Sequence, residues 1–203
     1  MKRTVLVMFI GIQLLFAANY TSMGQVKRSR GFDLRMTDYG AVLGGKMQWR
    51  LLKNLHTGIH ASWTFVSSGK EYTWTDPYTG YTYKINSINL DFVKTGLFLK
   101  KHFFTDQLAN TFAPYVSLQA GPVLAIDTDN DPWANISRYQ DAVFDLGFYT
   151  HVSFGADFMM EKRNTFTVAL GYEINRFTTP VDEEMQKTNW GGASLILNYG
   201  KYF

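Results

Sequence analysis

The stretch FDLGFYTHVSFGADFMM, from Phe144 to Met160, alternates two kinds of side chain along its whole length. One set is apolar apart from a threonine: Phe144, Leu146, Phe148, Thr150, Val152, Phe154, Ala156, Phe158 and Met160. The set between them is mostly polar or small: Asp145, Gly147, Tyr149, His151, Ser153, Gly155 and Asp157. A helix would mix the two sets, so the stretch predicts a β-strand. It is long for a globular strand and fits a tilted strand that crosses a bilayer in about 10 residues and projects beyond it.

The same period recurs along the chain. Further strands are predicted at Phe32 to Met36, Met47 to Leu51, Leu55 to Phe65, Ile88 to Leu99, Val116 to Ile126, Phe166 to Ile174 and Ala193 to Phe203. Eight strands are an even number, which predicts a closed antiparallel up-and-down transmembrane β-barrel with no open edge. Short connections are expected after Leu52, near Phe103 and after Glu161, and long ones at Ser67 to Lys84, Asp127 to Asp141 and Thr178 to Asn189. This asymmetry is typical of outer-membrane barrels.

Two irregularities predict β-bulges. The apolar parity of Ile88, Leu90 and Phe92 shifts to that of Val93 further along the same strand. A shift of this kind is what a bulge produces. Pro122 lies inside another strand, and proline cannot donate to the ladder. We therefore expect a bulge at each position.

Alternation alone does not say which face points inward. The charged residues opposite the apolar faces are Asp33, Arg35, Lys46, Arg50, Asp91, Lys94, Asp145, Asp157 and Glu173. Both signs are nearly balanced, which allows pairing in a closed interior. The alternative is a soluble lipocalin-like carrier with the faces reversed. An eight-stranded barrel is just wide enough to be filled by side chains, so a narrow porin-like channel is a second alternative rather than the expectation.

The two ends of the chain indicate export to the outer membrane. Lys2 and Arg3, then an apolar run to Ala18, predict a signal peptide at residues 1–24 and a barrel domain at residues 25–203. Cleavage near Ala18 and a membrane-anchoring helix are the alternatives. The final strand ends in the aromatic Phe203. This terminal strand predicts that the barrel-assembly machinery recognises the protein. Outer-membrane lipid is the second predicted partner.

Composition narrows the partners and cofactors. The chain has 20 basic and 17 acidic residues, and Lys2 and Arg3 belong to the predicted signal peptide. The basic and acidic residues that remain are nearly equal in number, so the composition gives no reason to expect nucleic acid as a partner. The chain has no cysteine, which excludes disulfides, lipid-modified cysteine and thiolate metal sites. No cofactor is predicted.

One segment resembles a known family. The residues APYVSLQAGP, from Ala113 to Pro122, together with the strand from Asn89 to Lys101 and the terminal aromatic, resemble the small outer-membrane β-barrel proteins common in Bacteroidota and often labelled porin family. Lys94 stands where such proteins often carry proline. The resemblance implies a barrel fold and an outer-membrane location, but no substrate and no catalytic residue.

Two motifs suggest chemistry, and both have simpler interpretations. His151 and Ser153 resemble the histidine and serine pair of outer-membrane lipid A deacylases, so a lipid-modifying hydrolase is a further alternative. It is the least favoured one. They share a face with Asp145 and Asp157, so we interpret them as interior polar residues and predict no enzyme. The acidic run Asp127 to Asp131 suggests calcium, but Pro132 and Arg138 break the helix-loop-helix pattern. We interpret it as a solvated loop.

The most distinctive surface segment is EYTWTDPYTGYTY, from Glu71 to Tyr83. Its aromatic residues are the predicted binding residues: Tyr72, Trp74, Tyr78, Tyr81 and Tyr83. Tyrosine and tryptophan give large contact area at low entropic cost. Alternating Thr and aromatic residues also favour a β-hairpin above the membrane. We therefore expect a barrel that acts structurally or by binding through its long extracellular loops.

Overall fold

The computed structural model describes residues 28–52, 54–67, 72–85, 90–103, 112–127, 142–160, 164–181 and 187–203. These form β1 (Arg28–Thr37), β2 (Gly40–Leu52), β3 (Leu55–Val66), β4 (Tyr72–Thr75), β5 (Thr82–Ile85), β6 (Leu90–His102), β7 (Phe112–Asp127), β8 (Val143–Met159), β9 (Asn164–Phe177) and β10 (Asn189–Tyr202). Eight strands close in the order β1-β10-β9-β8-β7-β6-β3-β2, all antiparallel, and β4 and β5 form a separate two-stranded sheet. The predicted eight-stranded up-and-down barrel is confirmed. No helix within these residues is long and apolar enough to cross a membrane.

The strands direct their apolar side chains outward and most of their polar side chains into the barrel. On β8 the outward Leu146 and Phe154 are 58% and 63% exposed, whereas the inward Tyr149 and His151 are fully buried. The other barrel strands repeat this pattern with exposed Phe, Leu, Ile and Met side chains. An apolar band of this extent is stable in lipid and not in water, because it far exceeds the apolar patches of soluble proteins. The fold is a transmembrane barrel, and the reversed lipocalin-like arrangement is wrong.

The connections divide the barrel into two ends. At the end that we call the loop end, β1 and β2 are joined by a tight turn at Asp38 and Tyr39, and the longer segments 67–89, 128–142 and 178–188 connect the other strands. The terminal end holds both ends of the barrel sequence and the connections after β2, β6 and β8. Gly40 closes the tight turn with a φ of 156°, and a Cβ there would lie 2.0 Å from the carbonyl oxygen of Phe65. Because β2 begins at Gly40, the predicted second strand, which began at Met47, was too short.

Neither predicted bulge is present. The register between β3 and β6 is continuous from Leu55–Lys101 to Phe65–Asp91, and Pro122 pairs with Phe148 in an unbroken register with β8. The ladder between β6 and β7 is interrupted between Lys94–Val123 and Leu97–Ala120, next to Pro122, but keeps the same register on both sides. The parity of the apolar residues changes in β6 because apolar side chains occupy the barrel interior near the loop end. Among the described strand pairs, a register shift occurs between β2 and β3, at Arg50 to Leu52 on β2.

Asp91 is a further correction that follows from this register. We expected its side chain in the interior with the other charged residues. Because Leu90 and Phe92 point inward, Asp91 takes the outward position between them, where it is nonetheless buried.

Candidate functional site

The barrel interior near the loop end is apolar and aromatic. We call this group the loop-end cluster: Tyr39, Val66, Leu90, Phe92, Val123, Ala125, Tyr149, Phe177, Val181 and Trp190, all buried. The Phe92 ring lies at its centre, with ring centroids 5.3 Å from Phe177, 5.9 Å from Trp190 and 6.1 Å from Tyr39. Tilted and edge-on pairs at these distances are favourable beyond the area they bury. The cluster closes the interior at this end.

Below this cluster, Glu173 organises a buried set of polar groups, the central network. Its carboxylate accepts hydrogen bonds from Lys94 Nζ and from the Tyr39 hydroxyl. Asn175 donates to the same carboxylate at 3.2 Å and to the Trp190 carbonyl at 3.1 Å. Lys94 and Glu173 are both fully buried, so each charge depends on the other for compensation.

Arg35 extends the central network across the barrel. Its Nε donates to Asp33 at 2.7 Å, and its second terminal nitrogen lies 2.5 Å from His60 Nε2 and 3.1 Å from Gln119 Oε1. The other terminal nitrogen lies 3.6 Å from the Glu173 carboxylate. One guanidinium therefore connects β1, β3, β7 and β9 through the interior. A planar fork with several donors suits this role better than a lysine ammonium.

Asp157 organises a second set near the terminal end, the terminal-end network. Its carboxylate is 2.5 Å from Lys100 Nζ, 2.8 Å from His102 Nε2 and 2.7 Å from the Thr167 hydroxyl. His102 Nδ1 is 3.2 Å from His56 Nδ1. The Lys100 ammonium also lies 3.8 Å from the centre of the Tyr115 ring. Asp157 thus has two cationic or potentially cationic neighbours and one neutral donor.

The two networks leave little free space between them. A cavity of about 500 Å³ lies against β1, β2, β3 and β6, where Lys46 and His60 line it together with the exposed, outward Met47 and Ile59. The cavity between the networks, lined by Arg35, Lys100 and Tyr115, has a volume of about 20 Å³. This is about the volume that one water molecule requires. At the junction of β6 and β7, a Cβ on Gly96 would lie 2.3 Å from the Ala120 carbonyl oxygen and 2.7 Å from the Tyr149 hydroxyl. Glycine therefore allows the strand backbone and Tyr149 to pack together.

The structure confirms some of the charged residues predicted for the interior and places others nearer its edges. Asp33, Arg35, Lys94, Asp157 and Glu173 are buried inside as predicted. Lys46 and Arg50 are half-buried on inward positions, and Asp145 lies at the loop-end rim, where the Thr179 hydroxyl donates to it at 2.5 Å.

Sequence reasoning did not single out Tyr39, Lys100, His102, Gln119 or Trp190. Lys100 and His102 share the parity of Lys94 on β6, which is the signal that could have found them. Tyr39 lies in the turn between β1 and β2, where the sequence has no alternating pattern that could predict which way its side chain points.

His151 and Ser153 do not form a catalytic pair. His151 Nε2 is 3.0 Å from the Ser194 hydroxyl, whereas the Ser153 hydroxyl is 2.7 Å from that of Ser117. Both residues are buried and point into the barrel, away from the face where a lipid substrate would arrive. They are interior polar residues, as we interpreted them. Among the described residues, no group of three or more His, Asp or Glu is placed to hold a metal ion.

The aromatic segment above the barrel forms a hairpin. Its strands pair from Tyr72–Ile85 to Thr75–Thr82, which confirms the predicted hairpin. At its tip, the Asp76 carboxylate accepts hydrogen bonds from the Tyr78 amide at 2.8 Å and the Thr79 hydroxyl at 2.6 Å. These bonds lower the pKa of Asp76. The fixed tip presents Tyr78 and Tyr81 at 96% and 67% exposure.

Several predictions fall outside the described part of the chain. The side chains of Tyr72, Trp74 and Tyr83 are not among those described, and neither are residues 1–24. Of the acidic run, Asp127 ends β7 and residues 128–131 are outside the described ranges.

Solved structures give the fold an independent comparison. Neisserial surface protein A has 11% identity to this chain and a TM-score of 0.56, and the match covers 88% of this chain and 96% of that one. The N-terminal β-barrel domain of Pseudomonas aeruginosa OprF has 16% identity and a TM-score of 0.46, over 88% and 99%. The attachment invasion locus protein Ail of Yersinia pestis has 13% identity and a TM-score of 0.43, over 87% and 97%.

These neighbours are outer-membrane barrel proteins. At such low identity, the likeness to Neisserial surface protein A supports the barrel fold and nothing finer. No protein-family model matches the sequence. No curated protein sequence matches it either.

Proposed function

We propose that this chain is an integral outer-membrane protein with a closed interior, which acts structurally or by binding through the loops at its loop end. The observation that carries this proposal is the interior itself. Within the residues that the structure describes, aromatic side chains pack across the loop end and ion pairs cross the rest of the interior, where the cavity between the two networks has a volume of about 20 Å³. We therefore propose the loops as the surface for contacts with partners outside the cell.

The outer membrane is the compartment that fits this barrel. Its apolar outward band requires lipid, and long loops at one end with shorter turns at the other are the arrangement of outer-membrane barrels. We place the loop end outside the cell and the terminal end in the periplasm. The β10 strand ends at Tyr202, immediately before Phe203, and its pairing with β1 closes the barrel. We propose that the assembly machinery recognises this strand, and that the chain is of the Bacteroidota type.

The β4–β5 hairpin is the proposed contact surface. The Asp76 carboxylate accepts hydrogen bonds from the Tyr78 amide and the Thr79 hydroxyl, and the Asp76 amide donates to the Tyr81 carbonyl. These bonds order the backbone that carries Tyr78 and Tyr81, which reduces the entropy lost on binding. Rigid tyrosines with an apolar body and a polar tip are common in binding surfaces. We propose that Tyr72, Trp74 and Tyr83 contribute to the same surface.

The first experiment tests the barrel. The mature chain, residues 25–203, is refolded into phosphatidylcholine vesicles, and its gel mobility is compared before and after boiling. A faster unboiled band is expected, because a folded barrel stays compact in detergent. A chain that remains soluble and needs no vesicles would overturn the membrane proposal.

The second experiment separates a contact role from a channel. In planar bilayers we expect no discrete conductance, since the interior is filled; regular conductance steps would favour the porin-like alternative. Cells that display the barrel are then tested for adherence to immobilised glycans and matrix proteins. Deletion of residues 70–83 is expected to abolish adherence while heat-modifiable mobility persists. Unchanged adherence would restrict the protein to a structural role.

A further inference from the structure

The outward face of the barrel carries a group of basic side chains at the terminal end. Arg28 and Arg30 lie on β1 and Lys201 lies on the neighbouring β10, and all three are exposed. They occupy the same outward parity as the lipid-facing Phe32 and Tyr199. We call Arg28, Arg30 and Lys201 the basic corner.

The three charges are close together. Arg30 and Lys201 are direct partners in the β1–β10 register, which places their Cβ atoms about 5 Å apart. Arg28 is the preceding outward residue on β1. Like charges directly opposite each other destabilise a strand pair unless an anion lies between them. The basic corner therefore favours the binding of an anion.

In the residues that the structure describes, no acidic side chain lies on this surface; the main-chain oxygen of Phe203 accepts a hydrogen bond from the Arg28 amide at 3.3 Å. In the half of the barrel nearer the terminal end, none of the described outward positions is Asp or Glu. Lys101 adds another exposed basic side chain on β6 at the same end. The loop end differs, because Asp38 and Asp91 occupy it together with the exposed Arg176.

The surroundings of the basic corner point to a lipid rather than a soluble anion. The next outward pair toward the membrane centre is Phe32 and Tyr199, which are 54% and 52% exposed, and the pair after it is Leu34 and Leu197. Basic, aromatic and aliphatic rows follow the order of headgroups, interface and hydrocarbon in a bilayer. The Arg30 guanidinium also lies 5.6 Å from the Phe203 ring, at the edge of the apolar band.

We propose that the basic corner binds the phosphate of an anionic phospholipid in the leaflet at the terminal end of the barrel. Two guanidinium groups can each present paired donors to phosphate oxygens, and Lys201 adds a point charge. The acyl chains of the same lipid then lie along Phe32, Tyr199 and the leucine row. This inference rests on the membrane insertion proposed above.

The test measures phosphatidylglycerol adducts by native mass spectrometry of the full mature barrel in zwitterionic micelles. The variant is Arg30→Gln/Lys201→Gln, and the matched control is Arg176→Gln/Lys187→Gln, which removes two exposed basic charges at the loop end. At low salt we expect the variant to bind phosphatidylglycerol about thirtyfold more weakly, from about 1 kcal/mol for each basic residue near an anionic surface. The control is expected to stay within about threefold of the unmodified protein, a margin well below that loss.

The other outcomes are distinct. Equal loss in the variant and the control would show that net charge, rather than the basic corner, attracts the lipid, and would overturn the proposal. Equal binding of phosphatidylcholine and phosphatidylglycerol would also overturn it, as would binding of inorganic phosphate at the same concentration. If the unmodified chain fails to give a fast unboiled band, the failure belongs to the proposed membrane barrel and not to the basic corner.

Discussion

The two ends of the barrel interior are built from opposite chemistry. The loop-end cluster is aromatic, with Phe92 between Phe177 and Trp190, whereas the terminal-end network surrounds the single carboxylate of Asp157. β6 contributes to both: Leu90 and Phe92 near the loop end, Lys100 and His102 near the terminal end. One strand face therefore changes from apolar to charged without any change of register.

This difference indicates how each end stays closed. Aromatic packing depends on shape and buried area, so it tolerates changes in charge but not cavities. Buried ion pairs depend on complete pairing, so they tolerate small changes in volume but not the loss of one partner. The two ends should therefore respond to different substitutions. The central network, which contacts the loop-end cluster through Tyr39 and Lys94, should respond most strongly.

The largest expected effect is at Glu173. Glu173→Leu leaves Lys94 buried without its carboxylate and removes the acceptor for Tyr39. Removal of one partner of a buried pair costs about 3–5 kcal/mol of unfolding free energy. Urea unfolding in vesicles, followed by tryptophan fluorescence, measures this loss. The double variant Lys94→Met/Glu173→Leu should regain much of it, because no unpaired charge remains; a double variant as unstable as the sum of both singles would contradict the pairing argument.

The next effect tests the aromatic end. Phe92→Ala creates a cavity among Tyr39, Phe177 and Trp190 and should lower the unfolding free energy by about 3–4 kcal/mol. Phe154→Ala on the lipid face is the control, and we expect a smaller loss because lipid can fill the space. Conductance of the Phe92 variant should remain absent in planar bilayers, since the networks below still fill the barrel.

A smaller effect tests the terminal end. Thr167→Val keeps the side-chain shape but removes a hydroxyl that donates to Asp157 at 2.7 Å. A hydrogen bond to a charged group contributes about 1.5–3 kcal/mol, and Lys100 and His102 remain in place to limit the loss. Urea unfolding of this variant should be compared with that of Thr165→Val, one alternation earlier on the same inward face. Equal losses in both variants would mean that the hydroxyl at 167 has no special role.

The sequence predicted the outer face of this barrel better than its interior. Alternation from Phe144 to Met160 was enough to place lipid-facing residues, because the hydrocarbon core of a bilayer requires mostly apolar side chains at the outward positions within it. The interior follows no such single rule. Leu90 and Phe92 point inward because aromatic packing also fills a barrel, and the resulting change of parity resembled a bulge. The partners of Asp157 and Arg35 come from strands far apart in sequence, and only the closed register brings them together.

The smallest effect on stability, and the sharpest contrast with both interior regions, is expected at the hairpin tip. Tyr78→Ser/Tyr81→Ser removes two exposed rings but leaves the Asp76 hydrogen bonds intact, so the unfolding free energy should change by less than about 0.5 kcal/mol. Adherence of displaying cells should nevertheless fall sharply, toward the level seen after deletion of residues 70–83. Thr79→Val is the matched control at the tip: it removes a hydrogen bond to Asp76 but no ring. If Thr79→Val alone abolished adherence while the tyrosine variant kept it, the shape of the tip rather than its aromatic surface would determine binding.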